Sequence, residues 1–426
     1  MNRKPAGPRP AGPFRAARQR TRVGRGLQIA WAAGLAVTVC GCAAPPSAAA
    51  GHPVTAAPAA TTPFVYVADT GSNGISQFGS ASSGSGALRP LTPKPAASGP
   101  GPYDVAVSPQ GTSVYAVDAP GNAPGEVSQY TLNPATGKLT PKSPRTVPTA
   151  KGPSGIIALA PDGKNAYVPD FTGKAISQYT ISPATGKLTP MTPATVADPV
   201  GMNVGPTGIR VAPDGRYAYI TNVKLCIAVK GSNCAATNDQ ENSVSVFRIS
   251  PATGALSARP VQTVATGQNP QMITIAPDGK SAYVAATNDN TIWQYSINPG
   301  TGKLTPMSPG TVATGKGPHD LGITPDGKNL YVVTVGANTI SQYRINPDTG
   351  ALNTKPASTA ATMLHPEAIV LAPDGKNAYV TSGNDPILAQ FAISPATGKI
   401  TPLSPATVKL PSGSLGLAIT PATAKA

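Results

Sequence analysis

The chain has 426 residues, of which only 12% are charged, with 45 glycines, 49 prolines and a formal net charge of +15. Charged residues at about half the usual share, with Gly and Pro recurring at fixed places, indicate many tight turns rather than disorder. The positive charge does not indicate a nucleic-acid protein. Arg3, Lys4, Arg9, Arg15, Arg18, Arg20, Arg22 and Arg25 all precede the first apolar run, and the remaining lysines (Lys138, Lys164, Lys187, Lys303) fall in repeated turns spread around a rim, with no clustered basic face.

In chain order, the basic stretch is followed by an apolar run over residues 27–41, LQIAWAAGLAVTVCG. Fifteen residues suit the core of a signal peptide and fall short of the ~20 that span a bilayer. The run closes on Val39-Cys40-Gly41-Cys42, which resembles a lipoprotein signal: cleavage before Cys42 would free it for lipid attachment, although Cys40 departs from the usual residue at its position. Ordinary cleavage nearby is the alternative. Residues 1–41 are therefore expected to be a signal peptide and the Ala- and Pro-rich residues 42–61 a tether. A lipid anchor would be the chain's only link to the membrane.

From residue 62 to 426 the sequence repeats. Tyrosines recur at Tyr66, Tyr115, Tyr167, Tyr219, Tyr283, Tyr331 and Tyr379, at spacings of 49, 52, 52, 64, 48 and 48. Each unit predicts an apolar strand A, a hairpin turn with Asp-Gly (Asp162-Gly163, Asp278-Gly279), a strand B carrying the Tyr, an alternating strand C (Thr339-Ile340-Ser341-Gln342-Tyr343), a Pro-x-Thr-Gly-Lys turn, and a short strand D at an exposed edge. Seven such units predict an all-β, seven-bladed propeller of four-stranded blades. The first unit starts at its strand B, residues 64–68, and a surplus strand A, residues 415–420, follows the last unit. That strand is expected to complete the first blade and close the ring.

The Pro-Asp-Gly-Lys-Asn-x-Tyr-Val units resemble the Tyr-Val-Thr-Asn repeats of bacterial and archaeal surface proteins. They equally resemble the lactonase-type seven-bladed propellers, which include 6-phosphogluconolactonase and carboxymuconate-lactonising enzymes. The resemblance implies a ligand site at one mouth of the central channel, built from the loops that enter strand A and those that join B to C, with His, Arg and Glu as working side chains.

Six units mark the start of strand A with Pro102, Pro153, Pro206, Pro270, Pro318 and Pro366. The residues after them are candidates for the mouth: Tyr103, Asp104, Gln271 and Asp320 as ligand-binding groups, with His319, Glu367, Arg210 and His365 as a catalytic cluster. His319 or Glu367 would serve as general base and Arg210 would steady an oxyanion. The counterparts Ser154, Gly155, Thr207 and Gly208 carry no strong acid, base or cation. The extra length of the fourth unit, residues 222–242, holds Cys226 and Cys234. Export favours a disulfide between them, with a metal pair as the alternative, in a loop that is either a recognition element over the mouth or a tolerated insertion.

Several chemistries find no motif. No Cys-x-x-Cys-His haem site and no Gly-x-Ser-x-Gly elbow is present, three histidines are too few for a multi-copper centre, and the Gly-rich residues 310–316 are followed by Gly317 where a phosphate loop needs Ser or Thr. No cofactor and no metal site is expected. Two functions remain: a monomeric binding scaffold at the cell envelope whose mouth meets a small ligand, a glycan or an envelope protein, or an exported enzyme that hydrolyses or isomerises lactones or sugar acids.

Overall fold

The computed structural model describes residues 63–422 apart from 82–83, 122, 199–203 and 225–241, together with a two-residue strand, Thr38–Val39, that pairs in parallel with Leu417 and Ala418. Seven antiparallel sheets follow one another along the chain. In the sixth blade, strand A is Pro318–Ile323, B is Asn329–Thr334, C is Thr339–Arg344 and D is Ser358–Ala361. The seventh repeats this with Pro366–Leu371, Asn377–Ser382, Ile387–Ile393 and Ile400–Lys409. The first blade is made from both ends of the repeat region: Ser414–Ile419 pairs antiparallel with Val65–Asp69, which pairs with Gly74–Ser80. The expected ring closure is present.

The core lies between blades. Val65, Val67, Phe78 and Leu417 of the first blade pack on Ala368, Val370, Tyr379 and Leu388 of the seventh, and comparable clusters fill the other junctions. The recurring tyrosines supply the polar lock at each junction. Tyr66, Tyr115, Tyr167, Tyr219, Tyr283, Tyr331 and Tyr379 donate in turn to the carbonyls of Gly137, Gly186, Gly254, Gly302, Gly350, Gly398 and Gly86, each in the next blade, at 2.5–2.9 Å. Those glycines occupy the C–D turns with φ of 64–74°.

A second bracket comes from strand C. Gln178 accepts from Leu256 N of the following blade at 2.9 Å and donates to Pro193 O in its own strand D at 2.8 Å. Gln129, Gln294 and Gln390 bond in the same way. In the fourth blade Val246 replaces the glutamine, and Gln262 on strand D takes over with both bonds to Leu304.

Two local expectations change. The turn between A and B is four residues long. Gly163 N donates to Ala160 O, Pro161 and Asp162 take the centre, and the left-handed glycine follows them. Strand D is also longer than expected in several blades, such as the thirteen residues of Leu139–Lys151. Its Lys-Leu-Thr-Pro and Thr-Val pieces are two halves of one strand separated by a bulge, which in the third blade lies opposite Gln178. That glutamine satisfies the bulge carbonyl, so the strand continues, and the prolines fall on the free outer edge where no donor is needed.

Two outcomes check this architecture. Tyr331→Phe leaves Gly398 O without its buried donor and is expected to lower stability by about 1–2 kcal/mol in denaturant unfolding. Removing residues 413–426 takes away the closing strand and should abolish a single cooperative melt; an unchanged melting temperature would count against closure by that strand.

Candidate functional site

Strands A enter at one end of the ring, and the residues after their opening prolines gather there. In five blades the A–B pairing slips just past the proline: between Pro102 and Asp104, Pro206 and Ile209, Pro270 and Ile273, Pro318 and Leu321, and Pro366 and Ile369. A bulge releases the intervening residues from the ladder and re-aims their side chains. Tyr103, Thr207, Gln271, His319 and Glu367 all fall within these bulges.

Glu367 is 2% exposed and lies between two imidazoles. His365 Nδ1 comes to 2.7 Å of its Oε1, a charge-assisted contact whose alignment falls short of a regular hydrogen bond. His319 Nδ1 lies 3.4 Å from Oε2 and 2.9 Å from the Glu367 carbonyl oxygen. A carbonyl only accepts, so Nδ1 of His319 carries the proton and, in the neutral ring, Nε2 holds the lone pair. Burial pushes the Glu367 carboxyl up, but the charge of His319 and the contact and charge of His365 outweigh it and hold the group below the usual carboxylate range. The same contact raises His365 above the ordinary imidazole value against a smaller opposing effect of burial. The His365 side chain is 41% exposed, which makes it the solvent-facing member of the three.

The backbone at His365 is unusual. The residue before the opening of strand A is left-handed in six blades, where Gly101, Gly152, Asn269, Gly317 and Gly413 share that conformation with His365 at φ 53°. A bulky side chain in a glycine slot costs backbone energy and points to a use for the side chain. Asn338, in the B–C turn of the sixth blade, accepts from His365 N at 2.8 Å and fixes this turn. Gly383 makes room for the carboxylate: a Cβ there would stand 2.6 Å from Glu367 Oε1 and 3.1 Å from His365 Nδ1.

The other expected site residues have partners of their own. Both oxygens of Asp320 accept backbone donors, from Leu321 N at 2.8 Å and Ile369 N at 2.9 Å, so its carboxylate ties blade six to blade seven. Asp104 is buried and accepts from Ile157 N of the third blade at 3.4 Å. Burial pushes its carboxyl well up, the Arg210 charge opposes this and the Asp320 charge adds to it. Arg210 Nη1 donates to Ile209 O at 3.3 Å, and its charge acts on Asp104. Gln271 donates to Asn269 Oδ1 at 2.8 Å, and Tyr103 packs over Gly155. Ser154 donates to Thr207 O at 2.8 Å, a seam bond between blades three and four that matches His319 to Glu367 O between six and seven. Cys42, Cys226 and Cys234 lie outside the described residues; the loop that holds the last two joins strands B and C of the fourth blade, Tyr217–Lys224 and Ser243–Arg248, at the mouth end. Among the described residues no three His, Cys, Asp or Glu side chains converge as metal ligands would.

Sequence reading missed Gly383, Asn338 and a set of buried carboxyls below the mouth. Gly383 had a legible signal: four residues after the recurring tyrosine the other blades carry Thr70, Ala119, Phe171, Val223, Thr287 and Val335. The carboxyls are Asp69, Asp118, Asp170 and Asp198, each accepting from a strand-C serine: Ser76, Ser128, Ser177 and Ser245. Burial raises them to about 6, about 6, about 7 and about 6, against smaller opposing effects of their hydrogen bonds.

A model of the lactonase family, the seven-bladed β-propeller lactonases, matches residues 46–317 and 305–415. The chain belongs to that family. Among solved structures it is similar to a candidate 6-phosphogluconolactonase from Bacteroides uniformis (20% identity, TM-score 0.70, covering 84% of this chain and 99% of that one). It is also similar to a candidate 6-phosphogluconolactonase from Bacteroides fragilis (21%, 0.67, 84% and 98%) and to a periplasmic gluconolactonase from Pseudomonas aeruginosa (18%, 0.68, 85% and 100%). At these identities the similarity shows the fold. Among curated proteins none matches the chain.

The four aspartates set a pH dependence. Their folded values exceed the unfolded one, so folding favours the protonated form. The stability they contribute is complete below about pH 4 and is lost as pH rises through 6 to 7. The melting temperature is expected to fall between pH 5 and pH 8, and Asp170→Asn should recover about 2 kcal/mol at pH 8 with little change at pH 4, measured by denaturant unfolding.

Proposed function

We propose that the protein is an exported hydrolase of sugar lactones, with the His365–Glu367–His319 cluster at the channel mouth as its active site. The observation that carries this reading is the ionised Glu367 held between two imidazoles on bulged strands in a chain of the lactonase family. Of the two functions left open by the sequence, family membership favours the enzyme over the binding scaffold.

The geometry favours His365 as the base. His319 spends its Nδ1 proton on the blade seam, and Glu367, held below the usual range, is a poor proton acceptor. Glu367 orients His365 through Nδ1 and stabilises its protonated form. Neutral His365 takes a proton from the water that attacks the lactone carbonyl, and the resulting imidazolium returns it to the ring oxygen as the C–O bond breaks. Leu364, 57% exposed beside His365, gives the sugar an apolar contact at the rim. The periplasmic location named for the Pseudomonas structure supports export, with anchoring through lipid on Cys42 and a Cys226–Cys234 disulfide pinning the loop at the mouth end.

The deciding assay offers the purified protein a panel of gluconolactones, with and without a 6-phosphate, beside His365→Asn and Glu367→Gln. Asn keeps the left-handed backbone, as Asn269 does in blade five. Both variants are expected to lose at least ~100-fold in kcat/KM without loss of melting temperature. Parent activity should decline in acid, as His365 with its raised value becomes protonated. Parent turnover no faster than the uncatalysed rate would leave the binding scaffold as the better reading. Gly383→Ala should lower kcat by displacing the Glu367 carboxylate while the fold persists; wild-type kinetics in that variant would remove Glu367 from the chemistry.

A further inference from the structure

At the end of the ring away from the mouth, a cavity of about 390 Å³ opens between blades four and five. Its walls include Arg216, Tyr217, Arg248, Val261, Thr301 and Lys303, and no acidic residue lines it. Arg216 sits in the A–B turn of blade four, Thr301 and Lys303 in the C–D turn of blade five. The strand leading from the mouth to Arg216, Val204–Val211, has eight residues and spans about 25 Å. The cavity is therefore separate from the His–Glu cluster.

Three observations mark it as a binding site. First, its cations are available. Arg216 is held by Asp214 at 2.7 Å, but among the described residues neither Arg248 nor Lys303 makes a hydrogen bond or ion pair through its side chain. Second, the wall departs from the repeat. Two residues before the recurring tyrosine, where Tyr217 stands, five other blades carry Ser113, Asn165, Ser281, Asn329 and Asn377, and blade one carries Phe64, an aromatic without a hydroxyl. Tyr217 donates to Gly300 O at 3.0 Å, with the Arg216 guanidinium 5.9 Å over its ring, and it also lines a second, smaller cavity. Third, Val261 is one of two large hydrophobic side chains exposed among the described residues, at 39%. Its apolar surface lies in this same wall.

We propose that this cavity binds a saccharide bearing a carboxylate or phosphate. Arg248 and Lys303 take the anion as charge-assisted donors, and Tyr217 and Val261 offer apolar surface to the C–H face of a sugar ring. The cavity volume falls in the range of small-ligand sites. The site is independent of lactone hydrolysis at the mouth.

The test is calorimetry with the purified protein and five probes: glucuronate, glucose 6-phosphate, an oligogalacturonate, glucose and inorganic phosphate. Binding of the anionic sugars, with glucose silent and inorganic phosphate at least tenfold weaker, is the expected result. Tighter binding of the oligogalacturonate than of glucuronate would identify a polymer as the source of the ligand, and equal binding a free sugar acid. The double variant Arg248→Glu/Lys303→Glu, which removes no side-chain bond among the described residues, should lose at least tenfold in affinity while lactone turnover is unchanged. Tyr217→Asn, which restores the common residue of the repeat, should erase the preference for glucose 6-phosphate over phosphate. Silence of every anionic sugar, undiminished binding in the charge variant, or equal affinity for phosphate and glucose 6-phosphate would each overturn the proposal.

Discussion

A buried phenol hydroxyl must find an acceptor or cost the fold roughly 1–3 kcal/mol, and this chain places seven of them where each donates to a carbonyl of the next blade. Each acceptor is the carbonyl of a left-handed glycine in the C–D turn, preceded by Thr in six blades and by Ser85 in the first. A Cβ at Gly254 would stand 2.1 Å from Asn165, and one at Gly350 only 1.9 Å from Ser281, so the glycine is required both for the turn and for the approach of the neighbouring blade. Tyrosine and glycine thus specify each other across every junction. The last bond, from Tyr379 to Gly86, makes the series circular. Burial also pushes these phenols up, so they remain donors across any ordinary pH.

This pairing explains why the fold could be read from the sequence. The tyrosines, the Pro-Asp-Gly turns and the Thr-Gly turns are local signals repeated at a blade period, and the surplus strand at residues 415–420 had one place to go. The strand-C glutamines repeat just as faithfully, but their bonds to the next blade join residues 58–78 positions apart, and 302 apart where Gln390 meets Leu88, and nothing local distinguishes such a glutamine from a solvated one. Strand D looked short for the same reason: its bulge is stabilised by a glutamine on another strand.

The site was legible only in part. His319, Glu367 and His365 could be picked out because acid–base residues are scarce in the mouth positions. Their distances depend on bulges that carry no sequence mark, and Arg210 looked like a partner because its position in the repeat places it on an inner strand. Its charge acts on Asp104, a pairing that no local sequence signal marks. His365 is the most instructive case. In the sequence it precedes a proline; in the structure it holds a left-handed position that Gly takes in four other blades and Asn in one. The repeat supplies a rigid frame, and the chemistry sits where one blade breaks the frame's rule.

The first blade is assembled from strands more than three hundred residues apart, with Ser414–Ile419 lying against Val65–Asp69. During synthesis, blades two to seven can pair as they emerge, since each is contiguous in the chain. Blade one cannot, and its strand B keeps an open edge until the final segment arrives. The ring therefore has a clasp, the strand Ser414–Ile419, made after all the other blades. A chain lacking this one strand would carry six finished blades and one uncovered strand edge, that of Val65–Asp69, a form prone to pair with another copy of itself. Quality of the finished ring is decided by the six residues Ser414–Ile419.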